Sequence, residues 1–443
     1  MRSGHLRSRY LTSIAAATLL AVAAWALRHA NTLRHPDRGG IPLHAAYNLT
    51  FAMLAIQVLL YSAERPRRAS RRNRRYLDTL KVAILVPLYN EDPYVVQSSI
   101  LSMLQQTRPP QHIVVIDDGS TQVYYSPLAA WAQETAASRG ITLVWQRTPN
   151  GGKRHAQVVG ARLAPDADVY VTVDSDTMLD ARALEQLLLP MADDKVQSVA
   201  GVVVAANSQR NLLTRFTDVW FVCTQLVDRS ALSVVSSVLV NCGGLAAYRA
   251  PILRDNLDGY LNETFFGRPV PFSDDSLLTT YAKLRGRTVQ QPSAICFSMM
   301  PDRLSHHLRQ YLRWMRGSTI RSWWRFKYLP FRSVAYWAHV MNWVETVLGG
   351  CVFLVLYLWY PFVVHQISPV ILVVPILIGY AHALRYLVIA RSDVKLRSQL
   401  VNWLLSPVAT LWAFFVLRPL HWFGAFTCMR TGWGTRRVVE VRL

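Results

Sequence analysis

Charge is scarce in this chain. Only 17% of its 443 residues are Asp, Glu, Lys or Arg, while 51% are hydrophobic, a balance too apolar for an ordinary soluble protein of this length. Acid is the scarcer sign: 27 Asp and Glu stand against 48 Lys and Arg, a formal net charge of +21. Cysteine is scarce too. Cys223, Cys242, Cys296, Cys351 and Cys428 are scattered with no CxxC pair, which argues against a disulfide framework or a thiolate zinc site and fits a reducing cytoplasm. No GxGxxG occurs, so a dinucleotide fold lacks its phosphate loop. Nucleic acid is not expected as a partner, because the arginines gather beside apolar runs instead of along one soluble face.

Long apolar runs are what the chain has instead. Leu11–Leu27 and Leu43–Tyr61 each approach the roughly 20 residues that cross a bilayer core. The first follows Arg2, Arg7 and Arg9 and has the make-up of a secretory signal, but a second span comes almost at once. Seven arginines between Arg65 and Arg75 place that segment, the N-terminus and the central domain on the cytoplasmic side. Tyr336–Val364 and Pro369–Ala390 are further apolar stretches, and Arg391, Lys395 and Arg397 return the chain to the cytoplasm. The tail is basic as well, so both flanks of Val401–Cys428 prefer one side; Pro407 and Pro419 interrupt that stretch, which predicts a re-entrant or broken hairpin. The expected organisation is two spans (1–62), a basic linker (63–80), a catalytic domain with interfacial helices (81–330), a membrane region (331–428) and a cytoplasmic tail (429–443). The expected location is the cell membrane, multi-pass.

Between the spans, β-rich runs alternate with helical patterns. Val82–Pro87, Ile113–Asp117, Ile141–Trp145, Val169–Asp174 and Ser198–Val204 read as strands; Tyr94–Gln106, Leu128–Arg139, Lys153–Leu163 and Ala181–Met191 read as helices. This alternation predicts an open α/β sheet with ligands at the C-terminal strand ends. Asn211–Val235 and Arg303–Tyr328, with Trp, Phe and Arg interleaved, fit helices lying in a membrane interface, although ordinary core helices fit the first equally well.

The acidic motifs lie at those strand ends. Asp174-Ser175-Asp176 follows Val-Tyr-Val-Thr-Val, and two carboxylates so spaced suit a hard divalent cation, Mg2+ or Mn2+, bridging diphosphate oxygens. Asp117-Asp118-Gly119-Ser120 is a second acidic end, with Asp118 or its neighbour an acceptor for a uracil imide N–H. Glu91 closes Leu88-Tyr89-Asn90-Glu91. The turn Asn150-Gly151-Gly152 opens a helix at Lys153, Arg154 and His155; backbone N–H groups there, with Lys153 and Arg154, predict an anion site for a diphosphate. Ser273-Asp274-Asp275 offers a general base for an acceptor hydroxyl, or simply a Ser cap with acidic first-turn residues. In Gln310-Tyr311-Leu312-Arg313-Trp314 the indole can stack on a pyranose, while Gln310 and Arg313 share a helical face.

Together these residues resemble the processive family-2 glycosyltransferases of membranes, the hyaluronan synthases most of all. NGGKRHAQ (Asn150–Gln157), TVDSDT (Thr172–Thr177), the Ser273–Ala282 segment, GRTVQQ (Gly286–Gln291) and the WGTR tail (Trp433–Arg436) carry the resemblance. It implies a GT-A fold, an open mixed sheet between transmembrane and interfacial helices, with a UDP-sugar donor and the metal at Asp176. It implies Asp275 as base beside Asp274; Glu91, Asp117, Asp118, Lys153, Arg154 and Asp174 at the donor; and Cys242, Gln310, Arg313 and Trp314 toward the acceptor and diphosphate. Trp433 and Arg436 would close a loop over the nucleotide. The implied partners are UDP-sugars, a growing polysaccharide and the bilayer. Cys242-Gly243-Gly244-Leu245, Ser276 and Arg309 depart from the Cys-Ser-Gly-Pro, Arg and Gln of that family, all toward the acceptor end. The expected reaction is inverting, processive transfer making a hyaluronan-like polymer. A chitin-like oligosaccharide, a glucose/glucuronate capsule or a non-processive lipid glycosyltransferase are the alternatives; a transporter would have no use for the acidic strand ends.

Overall fold

The computed structural model describes residues 5–6, 10–34, 41–359, 362 and 370–431. Strand β1 (His5–Leu6) precedes helices α1 (Tyr10–Arg34), α2 (Ile41–Ala63) and α3 (Arg71–Thr79). Then β2 (Val82–Leu88), α4 (Pro93–Leu104), β3 (His112–Asp117), α5 (Ser126–Ala137), β4 (Thr142–Arg147), α6 (Lys153–Leu163) and β5 (Val169–Thr172) alternate. After β6 (Thr177–Leu179), α7 (Ala183–Leu188) and β7 (Val196–Ala205), helix α8 (Leu212–Thr224) runs through a π turn into α9 (Ser230–Val234). Strand β8 (Ala246–Arg249), the short helices α10 (Ala250–Arg254) and α11 (Leu257–Leu261), and the hairpin β9 (Thr264–Phe265) and β10 (Arg268–Pro269) lead to α12 (Asp274–Arg285). Strand β11 (Arg287–Ser298) and helices α13 (Leu304–Tyr328) and α14 (Val334–Phe353) follow. The C-terminal part holds α15 (Val370–Ala383), β12 (Ile389–Ala390), α16 (Leu396–Leu404), α17 (Ser406–Trp412) and α18 (Arg418–Phe426).

One eight-stranded sheet, in the order β4-β3-β2-β5-β8-β7-β11-β6, organises the centre. Strands β4, β3, β2 and β5 are parallel, as are β7 and β11, whereas β8 and β6 run against their neighbours. Every residue of β2 is buried, as a strand covered on both faces must be. Its period-two alternation divides the core: Ile84 and Val86 join Val96, Ile100 and Ala132 on one face, and Ala83 and Leu85 join Ala156, Val158 and Ala161 on the other. The five strands read from the sequence are all present, but β5 stops at Thr172, two residues short of Asp174. Three strands of the sheet escaped that reading. β6 and β8 are too short to show a period, and β11 contains Pro292 with a register shift between Gln290 and Ile295.

Among the described residues, Tyr10–His29 is the helix long and apolar enough to cross a membrane unaided. Leu396–Leu404 and Ser406–Phe426 together meet the same measure with a 47° bend. The bend falls beside Pro407, which sits in the first turn of α17, where its missing N–H breaks no helical bond. Asn48–Ala63 and Val373–Val388 are shorter apolar helical runs.

A buried polar knot joins the C-terminal part to the sheet. Asp218 of α8 accepts from the Ala205 N–H at 2.8 Å and from the Tyr386 hydroxyl at 2.6 Å, and pairs with Arg391. Arg391 also donates to the Ala205 carbonyl at 2.6 Å. Both charged side chains are almost wholly out of solvent. Removing one member strands the other without water, so Asp218→Ala should cost about 3–5 kcal/mol. Thermal unfolding of the detergent-purified protein reads this; an unchanged midpoint would show the knot to be dispensable.

Candidate active site

Chain order reverses across β2 and β5, and the crevice beyond their C-terminal ends is where such sheets bind ligands. Asn90, just after β2, adopts a left-handed backbone at φ 49°. Its side-chain oxygen accepts from the Thr121 and Gln122 N–H groups at 3.0 and 3.1 Å, and its own N–H donates to Ser120 Oγ at 2.9 Å. The loop carrying the buried Glu91 is thereby sewn to the Asp117–Ser120 turn. Asp117 accepts from the Ser120 N–H at 2.9 Å.

Asp118 departs from expectation in one respect. Its carboxylate accepts from the backbone N–H groups of Gly151 and Gly152 at 2.9 and 2.8 Å. Those two donors, predicted to cradle an anion, are turned to Asp118 here. Burial raises the Asp118 pKa, with the two N–H groups acting against it. Gly119 has φ 75°, and a Cβ there would lie 2.8 Å from Asn150 N, so no other residue fits the contact between these loops.

Lys153, the first residue of α6, is the hub. Its Nζ lies 2.7 Å from Asp174 Oδ1 and 3.0 Å from Asp274 Oδ2. Burial disfavours its charge, but Asp174 and Asp274 more than offset this and the ammonium is held firmly protonated. Gly243 closes over the pair: a Cβ there would be 3.1 Å from Asp174 Oδ2 and 3.2 Å from Lys153 Nζ. The neighbouring Cys242 is half-buried against the core.

Arg154 requires correction. It was expected at the diphosphate beside Lys153, yet successive helical residues point about 100° apart. Arg154 is buried and donates to the carbonyls of Tyr260 and Phe272 at 3.1 and 2.6 Å, with Glu263 at 2.8 Å.

Asp274 and Asp275 open α12. The Ser cap considered from sequence is not made: Ser273 is left-handed at φ 63° and its side chain caps nothing. A non-glycine residue in that region marks a conformation imposed by its surroundings. Burial opposes ionisation of Asp274, but Lys153 and Arg154 prevail and its pKa is lowered. Asp275 goes the other way. Burial and the neighbouring Asp274 raise it to about 7, despite Lys153 and a 2.7 Å bond from the Ser276 N–H.

The half-buried Asp176 accepts from Thr177 Oγ1 and Ser298 Oγ at 3.3 and 3.4 Å. Among the described residues no three His, Cys, Asp or Glu side chains gather as a metal cage. One or two hard carboxylates at the mouth of such a crevice suit Mg2+ or Mn2+, hard ions that accept few protein ligands. Asp176, with Asp174, would hold the ion.

Gln310, Arg313 and Trp314 are half-buried on α13. Trp314 stacks on Phe221 of α8 at 5.9 Å, and Tyr311 meets Trp220 at 5.7 Å. Three residues past Trp314, Gly317 lies against Ser273; a Cβ would come 3.1 Å from the Ser273 Cβ. The chain then returns to α13, with Gly424 of α18 against Met315, Thr427 accepting from Arg316 at 3.2 Å, and the Met429 carbonyl accepting from Arg268 at 3.0 Å. Trp433 and Arg436 lie outside the described residues. Asn90, Gln157 and Glu263 were missed by sequence reasoning. Asn90 sits within Leu88-Tyr89-Asn90-Glu91 and Gln157 within NGGKRHAQ, so both were open to notice, while nothing local marks Glu263.

A family model described as Glycosyl transferase family 2 matches residues 83–257. Over 363 residues the chain is 33% identical to a hyaluronan synthase of Streptococcus pyogenes, covering 82% of this chain and 84% of the relative. The chain belongs to glycosyl transferase family 2. This glycosyltransferase is also 36% identical over 244 residues to an N-acetylglucosaminyltransferase of Azorhizobium caulinodans, 54% of this chain and 60% of that one. Among solved structures, the mannosyltransferase PcManGT from Pyrobaculum calidifontis, in complex with GDP-Man and Mn2+, matches with a TM-score of 0.50 at 19% identity. That match covers 88% of this chain and 99% of the other, and it supports the GT-A fold expected of the glycosyltransferase.

Proposed function

We propose that this glycosyltransferase polymerises UDP-sugars processively into a β-linked, hyaluronan-like polysaccharide and passes it through its own membrane helices. One observation carries the reading: Lys153 joins Asp174, at the donor strand end, to Asp274, next to Asp275, so donor and base share one pocket. Asp275 takes the proton of the terminal acceptor hydroxyl, whose oxygen attacks the anomeric carbon from the face opposite the nucleotide and inverts it. Lys153 lies where charge develops on the leaving diphosphate. A divalent cation held by Asp176 supplies further charge stabilisation when bound. Trp314, backed by Phe221, offers a platform for the acceptor sugar. The seven arginines between Arg65 and Arg75 keep the domain cytoplasmic, where activated sugars are made, in a multi-pass protein of the cell membrane. In this reading the WGTR segment, with Trp433 and Arg436, closes over the bound nucleotide.

The N-acetylglucosaminyltransferase relatives, together with the departures at Cys242–Leu245, Ser276 and Arg309, favour a second reading, a chitin-like oligosaccharide from one donor. Reconstituted protein given UDP-GlcNAc, UDP-glucuronate and UDP-glucose singly and in pairs decides between them. Polymer from the GlcNAc/glucuronate pair alone is expected, lost on chelation with EDTA and restored by Mg2+ or Mn2+. Polymer from a single donor would move the assignment to the second reading, and undiminished synthesis in EDTA would remove the metal.

A further inference from the structure

Residues 260–272 form a strap between α6 and α13, with one carboxylate at its centre. Glu263, itself shielded from solvent, meets Arg154 of α6 at 2.8 Å. Both its oxygens are taken by the Arg321 guanidinium of α13, and Trp324 Nε1 donates to it at 2.8 Å. Arg321 is fully buried and Arg154 is 4% exposed. A bidentate Arg–carboxylate pair fixes orientation as well as distance, so Glu263 ties two helices together by geometry.

Both ends of this tie lead to the reaction centre. On α6, Arg154 precedes Gln157, which donates to Asp274 at 3.3 Å and accepts from the Tyr260 hydroxyl. Arg154 also holds the Phe272 carbonyl, just before the left-handed Ser273 and the Asp274-Asp275 pair. On α13, Arg321 lies one turn beyond Gly317, the residue that abuts Ser273. Past Glu263, Arg268 secures the Met429 carbonyl.

We propose that Glu263 is a positioning residue for chain extension. It touches no reacting atom; acting through Arg154 and Arg321, it holds α13 against α6 so that the acceptor hydroxyl stays over Asp275 and water does not take its place. The proposal rests on the polymerase reading above.

The test uses full-length protein in phosphatidylglycerol-containing nanodiscs, comparing the parent with Glu263→Ala and Glu263→Gln. UDP release, sugar incorporated, product length and thermal unfolding are all read. A misplaced acceptor costs transfer far more than donor cleavage. Glu263→Ala should therefore release UDP within about threefold of the parent at similar donor KM, while incorporating about tenfold less sugar into shorter chains. Glu263→Gln keeps an oxygen for Trp324 and one guanidinium contact, and should recover part of the length. Release and incorporation falling in step, or product length unchanged, overturns the proposal. Should Glu263→Ala fail to fold, the release-to-incorporation ratio of Glu263→Gln decides alone. A parent that makes no polymer from any donor defeats the polymerase reading instead; Glu263 is then judged by UDP released against sugar transferred to free GlcNAc.

Discussion

Asp275→Asn is expected to lower kcat by about 10²–10⁴-fold, the range for losing a general base, while leaving the donor KM nearly unchanged. The amide keeps the shape and the contact with the Ser276 N–H but accepts no proton. Burial and Asp274 raise the Asp275 pKa to about 7, and the base works only when ionised. The parent's rate at saturating donor should therefore rise with pH up to about 7 and level off, falling tenfold per pH unit well below it. The stability sign runs the opposite way. A carboxyl whose folded pKa is raised binds its proton more tightly folded than unfolded, so its ionisation at neutral pH weakens the fold. Asp275→Asn should then unfold no lower than the parent. Steady-state rates from pH 5 to about 9, with thermal unfolding alongside, test both statements. A variant retaining a third or more of the activity would remove Asp275 from the chemistry.

Lys153→Met carries the second large effect. Three acidic groups, Asp174, Asp274 and Asp275, look to this one ammonium. Its removal takes away charge stabilisation at the diphosphate, which should lower kcat/KM by about 10²–10³-fold. It also leaves buried carboxylates uncompensated, at a cost of about 3 kcal/mol. Lys153 holds the Asp275 pKa down against burial, so without it the acid limb of the residual activity should move to higher pH. A limb that stays near 7 would mean that Lys153 and Asp275 do not sense one another, and the shared-pocket argument would fail with it. Lys153→Arg is not a rescue, because a planar fork does not replace a compact ammonium between two carboxylates.

The elements that carry Asp117, Lys153 and Asp174 were legible in the sequence because their signals are local. Apolar runs ending in Asp117 and Asp174 mark buried strands with polar ends, and the Gly151-Gly152-Lys153 turn marks the start of α6 to the residue. The surroundings of Arg154 and of α12 depend on contacts remote in sequence. Whether Arg154 faces a diphosphate or Glu263 is a question of helix phase and of a strap far along the chain. Whether Ser273 caps α12 or turns left-handed depends on Gly317 pressing on it. The short strands β6 and β8 owe their existence to neighbours already in place, and no window of residues announces them.

The sheet divides the labour of the pocket. Glu91, Asp117, Asp118 and Asp174 stand on the edge made by β2, β3 and β5, while Asp275 and Trp314 belong to α12 and α13, on either side of β11. The two halves meet at the Lys153–Asp274 contact and at the Glu263 tie. Such a seam lets one half drift while the other is kept. A lineage built on this plan is free to vary the α12–α13 side while the strand-end side, with its Asp174–Lys153 contact, stays as it is.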